Sequence, residues 1–229
     1  MRRARGFTLV ELAIVLLIVG LLLTMLIVPL NTQVDQQRIN DTQKQLATIT
    51  EAILGFAVAN GRLPCPATPG TASTTAGAGL ENKGVPACNI NEGVVPWATL
   101  GLPETDAWGR RFTYRVTGAL ADDPTGGLQA SFTLTDTGNI TITSGGAAPV
   151  NVANNVAAVV VSHGKNGLGA YRQNGAQIAG AAGDELKNAD ADPGGIFVSK
   201  LPDPAFDDLV AWVSANVLKS RMVAANRLP

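Results

Sequence analysis

Gly6-Phe7-Thr8-Leu9-Val10-Glu11-Leu12 opens a stretch in which no charged residue stands between Glu11 and Asp35. At about 1.5 Å of rise per residue, a helix over 12–34 spans roughly 35 Å, enough to cross a hydrocarbon core of about 30 Å. A cleavable secretory peptide has a shorter apolar core, about 7–15 residues, followed by a small-x-small site. Here the run ends Leu26-Ile27-Val28-Pro29-Leu30, and no cysteine lies nearby for lipid attachment. Arg2, Arg3 and Arg5 precede the run and no basic residue follows until Arg38. The positive-inside rule therefore predicts a cytoplasmic N-terminus and an exported body.

Beyond Pro29 the pattern becomes amphipathic. Ile39, Thr42, Leu46, Ile49, Ile53 and Phe56 recur at steps of three and four, with Gln, Asp, Lys and Thr between them. Asn60-Gly61 supplies a helix stop, with Pro64 just beyond. The spacing predicts one helix over 7–59, roughly 80 Å long. Pro29 removes a backbone donor and is expected to bend it, and Gly20 offers a point of close helix approach.

Glu11 is the exception in this segment, because a carboxylate within an apolar span is costly unless a partner neutralises it. Two readings stand: an acid at the headgroup boundary, or an acid that awaits a counter-ion. The leader and the residues 6–12 resemble the class III signal of type IV pilins and type II secretion pseudopilins. The resemblance implies that a prepilin peptidase cuts between Gly6 and Phe7 and methylates the new amine of Phe7. It also implies that Glu11 pairs with such an amine when subunits pack. Cleavage places a cation one helical turn from Glu11, and a neighbouring subunit offers the same charge. The chain then divides into a cytoplasmic leader (1–6), a transmembrane and assembly helix (7–34) and a periplasmic pilin-like domain (35–229).

Cys65 and Cys88 are the two cysteines of the chain. Outside the cytoplasm a disulfide is the simplest reading, with free thiols or half of a metal site as alternatives. Strands are expected at Arg111–Val116, Gln129–Thr135, Asn139–Thr143 and Val156–Ser162, with Thr137-Gly138 as a hairpin turn. After Asp203-Pro204 a second amphipathic helix is expected, carrying Phe206, Leu209, Val210, Val213, Val217 and Leu218 on one face. The fold class is α+β: a long N-terminal helix on a small antiparallel sheet, with a C-terminal helix.

Asp106-Ala107-Trp108-Gly109, followed by Tyr114, is similar to the Asp-Pro-Trp-Gly…Tyr stretch of the major secretion pseudopilins, with Ala107 in place of Pro. Trp108 and Tyr114 are expected in the core. Ser162-His163-Gly164-Lys165-Asn166-Gly167-Leu168-Gly169, followed by Asp184, Glu185, Asp190 and Asp192, resembles a longer version of the loop that holds calcium in those proteins. Asn166 stands where the family has an Asp, and an insertion separates the two halves. The resemblance implies Ca2+ on Asp184, Glu185, Asp190 and Asp192, whose oxygens suit a hard cation. A solvated acidic loop is the alternative.

Net charge is −1 on 229 residues, with 17 Lys and Arg against 18 Asp and Glu, so no basic field exists to hold nucleic acid. Ser162 and His163 are adjacent in a strand and point to opposite faces, which disfavours a nucleophile and base pair. No phosphate-binding or dinucleotide glycine pattern occurs. The sequence thus points away from an enzyme and toward a structural subunit of a type II secretion pseudopilus. It would work with prepilin peptidase, other pilin-like subunits and an inner-membrane assembly platform. A minor pilin of a type IV pilus is the alternative within this class; a membrane-tethered binding module or enzyme is the alternative outside it.

Overall fold

The computed structural model describes residues 7–124, 129–189 and 194–228, the side chains of 23–31 excepted. The chain divides into two compact units, Met1–Asn40 and Asp41–Pro229.

Helix α1 runs Leu9–Asn60, close to the span that the sequence predicts. In the first unit, every large apolar side chain described from Phe7 to Leu22 is exposed. Among the described residues no helix is long and apolar enough to cross a membrane. The expected span over 7–34 runs through 23–31, whose side chains lie outside those described, as does the expected effect of Pro29.

In the second unit α1 buries one stripe, Thr42, Leu46, Ile49, Ile53, Leu54 and Ala57, as its three-and-four spacing requires. The helix stops where Gly61 adopts a left-handed φ of +73°. The carbonyl of Gln129 sits where a Cβ at Gly61 would lie, so only glycine fits. Arg227 donates to the carbonyls of Val58 (2.9 Å) and Ala59 (2.8 Å), satisfying acceptors that the end of α1 leaves open.

Six strands form one sheet: β1 (Glu92–Val94), β2 (Thr113–Val116), β3 (Ile140–Thr143), β4 (Asn151–Ser162), β5 (Ile196–Val198) and β6 (Leu209–Ser214). The long β4 is the spine. It pairs antiparallel with β2 (Val116 opposite Ala158), with β3 (Ile140 opposite Val156) and with β6 (Val213 opposite Ala158). β1 adds to β2, and β5 lies parallel to β3. Residues 156–162 are all buried because both faces are covered. Ala158 and Val160 join α1, Phe112, Tyr114, Leu218 and Met222 in the main core, while Val159 and Val161 pack with Ile140, Ile142 and Phe197 on the opposite face. Short helices α2 (Trp97–Leu100) and α3 (Gly183–Ala189) lie in the connections, and α4 (Ala215–Ala224) closes the chain. This is the α+β layout expected, an N-terminal helix followed by an antiparallel-rich sheet and a C-terminal helix.

Three local expectations are corrected. Residues 209–214 form strand β6, not helix: Leu209, Ala211 and Val213 face the main core while Val210 and Trp212 face the second, a period of two that the β-branched residues favour. The helix begins only after Ser214, whose hydroxyl accepts from the Asn216 N–H, and Val217 is exposed. Asp203-Pro204 makes a turn instead, with Asp203 Oδ1 accepting from the Ala205 N–H. Residues 129–135 form no strand, although Ala130 and Phe132 are buried; Asp136 folds back on the Thr133 N–H and hydroxyl. Thr137-Gly138 is accordingly not a hairpin turn. Gly138 instead lets the chain press against the Val156 carbonyl as it enters β3.

Cys65 and Cys88 form a disulfide, with Cα atoms 5.5 Å apart. It closes the segment that carries Glu81. That carboxylate accepts both ends of the Arg62 guanidinium (2.8 and 2.9 Å) and the Cys65 N–H (3.1 Å).

Candidate functional site

Two groups of residues carry chemistry beyond the core. The first opens α1. Thr8 is the residue before the helix, and its hydroxyl accepts from the Glu11 N–H at 3.3 Å. Glu11 Oε2 reaches back to the Thr8 N–H (3.2 Å) and hydroxyl (3.3 Å). This reciprocal arrangement is a capping box, which the Thr-x-x-Glu spacing of 8–11 encodes and which the reading of Glu11 as a lone acid missed. The carboxylate also sits at the positive end of the helix dipole. Around it, Phe7, Leu9, Val10, Leu12, Ile14 and Val15 are all exposed. Gly6 lies outside the described residues.

The second group lies at one end of the sheet. Oxygens of Glu185, Asp207 and Asp208 all lie within 4.8 Å of one another. Glu185 and Asp208 are each only 3% exposed, and Asp207 is half-buried. Glu185 comes from α3; Asp207 and Asp208 lead into β6. The loop 163–169 folds over them: the Asn166 N–H donates to Asp207 Oδ2 (2.9 Å) and the Asn166 amide to Glu185 Oε1 (2.7 Å). Asn188 donates to Asp208 Oδ2 (2.8 Å) and exchanges two further hydrogen bonds with the Val198 backbone, locking the carboxylate from one side.

Asp207 Oδ1 and Asp208 Oδ1 in this group, and His163 Nδ1 beside it, are buried without a hydrogen-bond partner. His163 is fully buried, its Nε2 2.8 Å from Thr113 Oγ1 and its Nδ1 3.8 Å from Asp208 Oδ1. Burial and the neighbouring Glu185 and Asp207 charges push the Asp208 carboxyl up to about 8. Burial and the Arg110 charge push His163 down to about 4, so its ring is neutral at pH 7. Crowding makes it costly to ionise all three carboxyls together, a cost that either a proton or a cation offsets. A groove lined by Asn166, Glu185, Lys200 and Ala205 opens onto Glu185 from the surface.

The residues expected as ligands fall in different places. Glu185 belongs to the group. Asp184 does not: it pairs with Lys200 (3.0 Å) and Lys187 (3.3 Å) and accepts from the Gly146 N–H (2.9 Å). Although burial alone would raise it, those partners hold its carboxyl below the usual range. Asp190 and Asp192 lie outside the described residues. Asp207 and Asp208 were not anticipated, since nothing local links them to a glutamate more than twenty residues away.

The Asp-Ala-Trp-Gly stretch supports this loop. Buried Asp106 accepts from the Trp108 and Arg110 N–H groups (2.9 and 3.0 Å) and from the Ser162 hydroxyl (2.7 Å), and Gly109 turns the chain at φ +78°. Arg110 then donates to the carbonyls of Gly164 (2.7 Å) and Lys165 (2.9 Å). Tyr114 is fully buried as expected, its hydroxyl donating to the Pro64 carbonyl, whereas Trp108 is only half-buried.

Residues 1–27 match the family model of the prokaryotic N-terminal methylation motif, the prepilin-type signal of type IV pilin-like and pseudopilin proteins. No curated protein and no solved structure matches the chain.

Proposed function

We propose that this chain is a structural subunit of a type II secretion pseudopilus, cut between Gly6 and Phe7 by a prepilin peptidase, methylated at Phe7 and assembled through α1. The methylation motif at residues 1–27 carries the reading. It implies processing by that peptidase and assembly with other pilin-like subunits. The uncharged run 12–34 supports an inner-membrane anchor, with the domain in the periplasm and an assembly platform below it. The exposed apolar surface of Phe7–Leu22 supports burial against other helices, because so large a patch is unfavourable in water. A minor pilin of a type IV pilus shares every one of these features, and the Cys65–Cys88 bond suits it equally.

Glu11 has two jobs in this reading. Its capping box holds the helix start, and its charge meets the Phe7 amine of a neighbour. Glu11→Gln keeps the cap, since an amide oxygen can still accept at that position, but removes the charge. Thr8→Ala weakens the cap by about 1 kcal/mol and keeps the charge. Processed protein in the sheared filament or crosslinked pseudopilus fraction is expected to vanish in Glu11→Gln and to persist in Thr8→Ala. Normal filaments from Glu11→Gln would remove the charge role, and an uncut leader in wild-type cells would remove the subunit reading altogether.

The calcium expectation carries over in changed form. Glu185, Asp207 and Asp208 are proposed to hold a divalent cation that neutralises them and ties α3, the loop 163–169 and β6 together. No bond-making chemistry is asked of it; the role is structural.

A further inference from the structure

We propose that β6 is a pairing edge for a second copy of this chain, the two strands meeting antiparallel about a two-fold axis at Ala211.

The backbone hydrogen bonds lead there. The Thr117 N–H donates to the Ala157 carbonyl at 2.9 Å, and β2 continues that register with Arg115 opposite Val159 and Thr113 opposite Val161. Backbone groups alternate along an antiparallel strand, so Ala158, Val160 and Ser162 turn theirs toward β6, where they meet Val213, Ala211 and Leu209. Val210 and Trp212 therefore point their N–H and C=O groups away from β4. Among the described residues only β4 pairs with β6. The other outer strands are covered. Ala67 exchanges backbone bonds with Val94 of β1 (2.8 and 3.1 Å), and the Asn188 side chain takes both the N–H and the C=O of Val198 in β5 (2.8 and 3.0 Å). β6 has no such cover, and Leu209–Ser214 carries none of the charges or prolines that keep an edge from pairing.

The strand itself selects the occupant. An open edge takes an extended chain, and β6 is complementary to its own copy. With Ala211 opposite the partner's Ala211, Val210 faces the partner's Trp212 and Trp212 faces the partner's Val210, so the outward backbone groups of both residues are used. Their side chains, half-buried on the second apolar face, become aromatic to β-branched pairs, which are favourable across strands. Leu209 meets the partner's Val213 on the other face. At the axis two small side chains allow the close approach of a pair without hydrogen bonds, about 4.5 Å between Cα atoms. Asp208 falls opposite the partner's Ser214 and Asp207 opposite the partner's Ala215, so no like charges oppose each other.

The test uses the full processed chain in detergent, whose own two cysteines are bonded to each other. Ala211→Cys is expected to give a disulfide-linked dimer under mild oxidation, since a Cα separation of about 4.5 Å is within disulfide reach. Leu209→Cys lies about 13 Å or more from its own copy in this register and is expected to cross-link at least about tenfold less. Mixing Leu209→Cys protein with Val213→Cys protein should restore the adduct. Val210→Pro, added to Ala211→Cys, removes only an outward N–H, which an edge strand tolerates, and should abolish the cross-link while the circular dichroism stays that of the folded chain. Glu11→Gln should keep the cross-link, because this contact does not depend on the filament reading. No adduct from Ala211→Cys while its thiol still reacts with a maleimide, or equal adducts from Ala211→Cys and Leu209→Cys, would overturn the pairing. So would an Ala211→Cys adduct in cells that joins a different protein in place of a second copy.

Discussion

A few residues in this protein do work that their type alone does not announce. Glu11 is a helix-capping acid as well as a charge in an apolar setting, and only substitutions that separate shape from charge can tell those roles apart. Glu81 shows the opposite case, an acid whose role is wholly architectural. Burial pushes its carboxyl up, but the Arg62 fork, the Cys65 N–H and the nearby Lys83 charge outweigh burial and hold it below the ordinary 4.5. A carboxylate whose folded value is depressed adds stability above its unfolded value, and that stability is lost as pH falls through the folded one. Glu81→Gln should therefore cost about 1–3 kcal/mol at pH 7, because Arg62 loses its charged fork and keeps Asp123 alone as counter-charge, at 3.5 Å. Denaturant midpoints of the two proteins should converge as pH falls below the ordinary 4.5 and on through the depressed folded value. Equal midpoints at pH 7 would show that Arg62 finds other partners.

Among the elements, α4 and β6 illustrate how one stretch of chain changes period. Both lie in a run of Val, Leu and Ala whose apolar positions fit a helix, yet the first half is a strand because β4 offers it an edge. From Ala215 the helix turns Leu218 and Met222 into the main core and leaves Val217 outside. Leu218→Ala is accordingly expected to cost about 2–5 kcal/mol and Val217→Ala to stay within about 0.5 kcal/mol. Thermal melts of the two variants check the assignment directly: were 206–218 one continuous helix with both residues inside, the two losses would be similar. The carboxylate group also belongs to this scale. It exists because the connection after α3 brings Glu185 beside the doublet that enters β6, and because Asp106 and Arg110 hold the loop 163–169 in place.

For the whole molecule, the second unit is bound together by β4 and by covalent closure of the segment 65–88. The Cys65–Cys88 loop is rich in Gly, Ala and Thr, and its closure should contribute about 3 kcal/mol by restricting the unfolded chain. Replacing both cysteines by serine is expected to lower the melting temperature under oxidising conditions and to make it insensitive to reductant. A melting point unchanged from wild type would mean that packing alone holds the segment. Much of this architecture was legible beforehand. The uncharged run, the three-and-four stripe from Thr42 to Ile53, the Asn60-Gly61 stop and the leader all rest on local periodicity and on charge placement, which neighbours in sequence are enough to create. The strand at 209–214, the irregular path of 129–135 and the grouping of Glu185 with Asp207 and Asp208 were settled by tertiary structure. Each depends on which distant backbone edge or side chain arrives alongside, and a free sheet edge, a Gly138 pressed on Val156 or a carboxylate crowded by two others has no signature in the residues on either side of it.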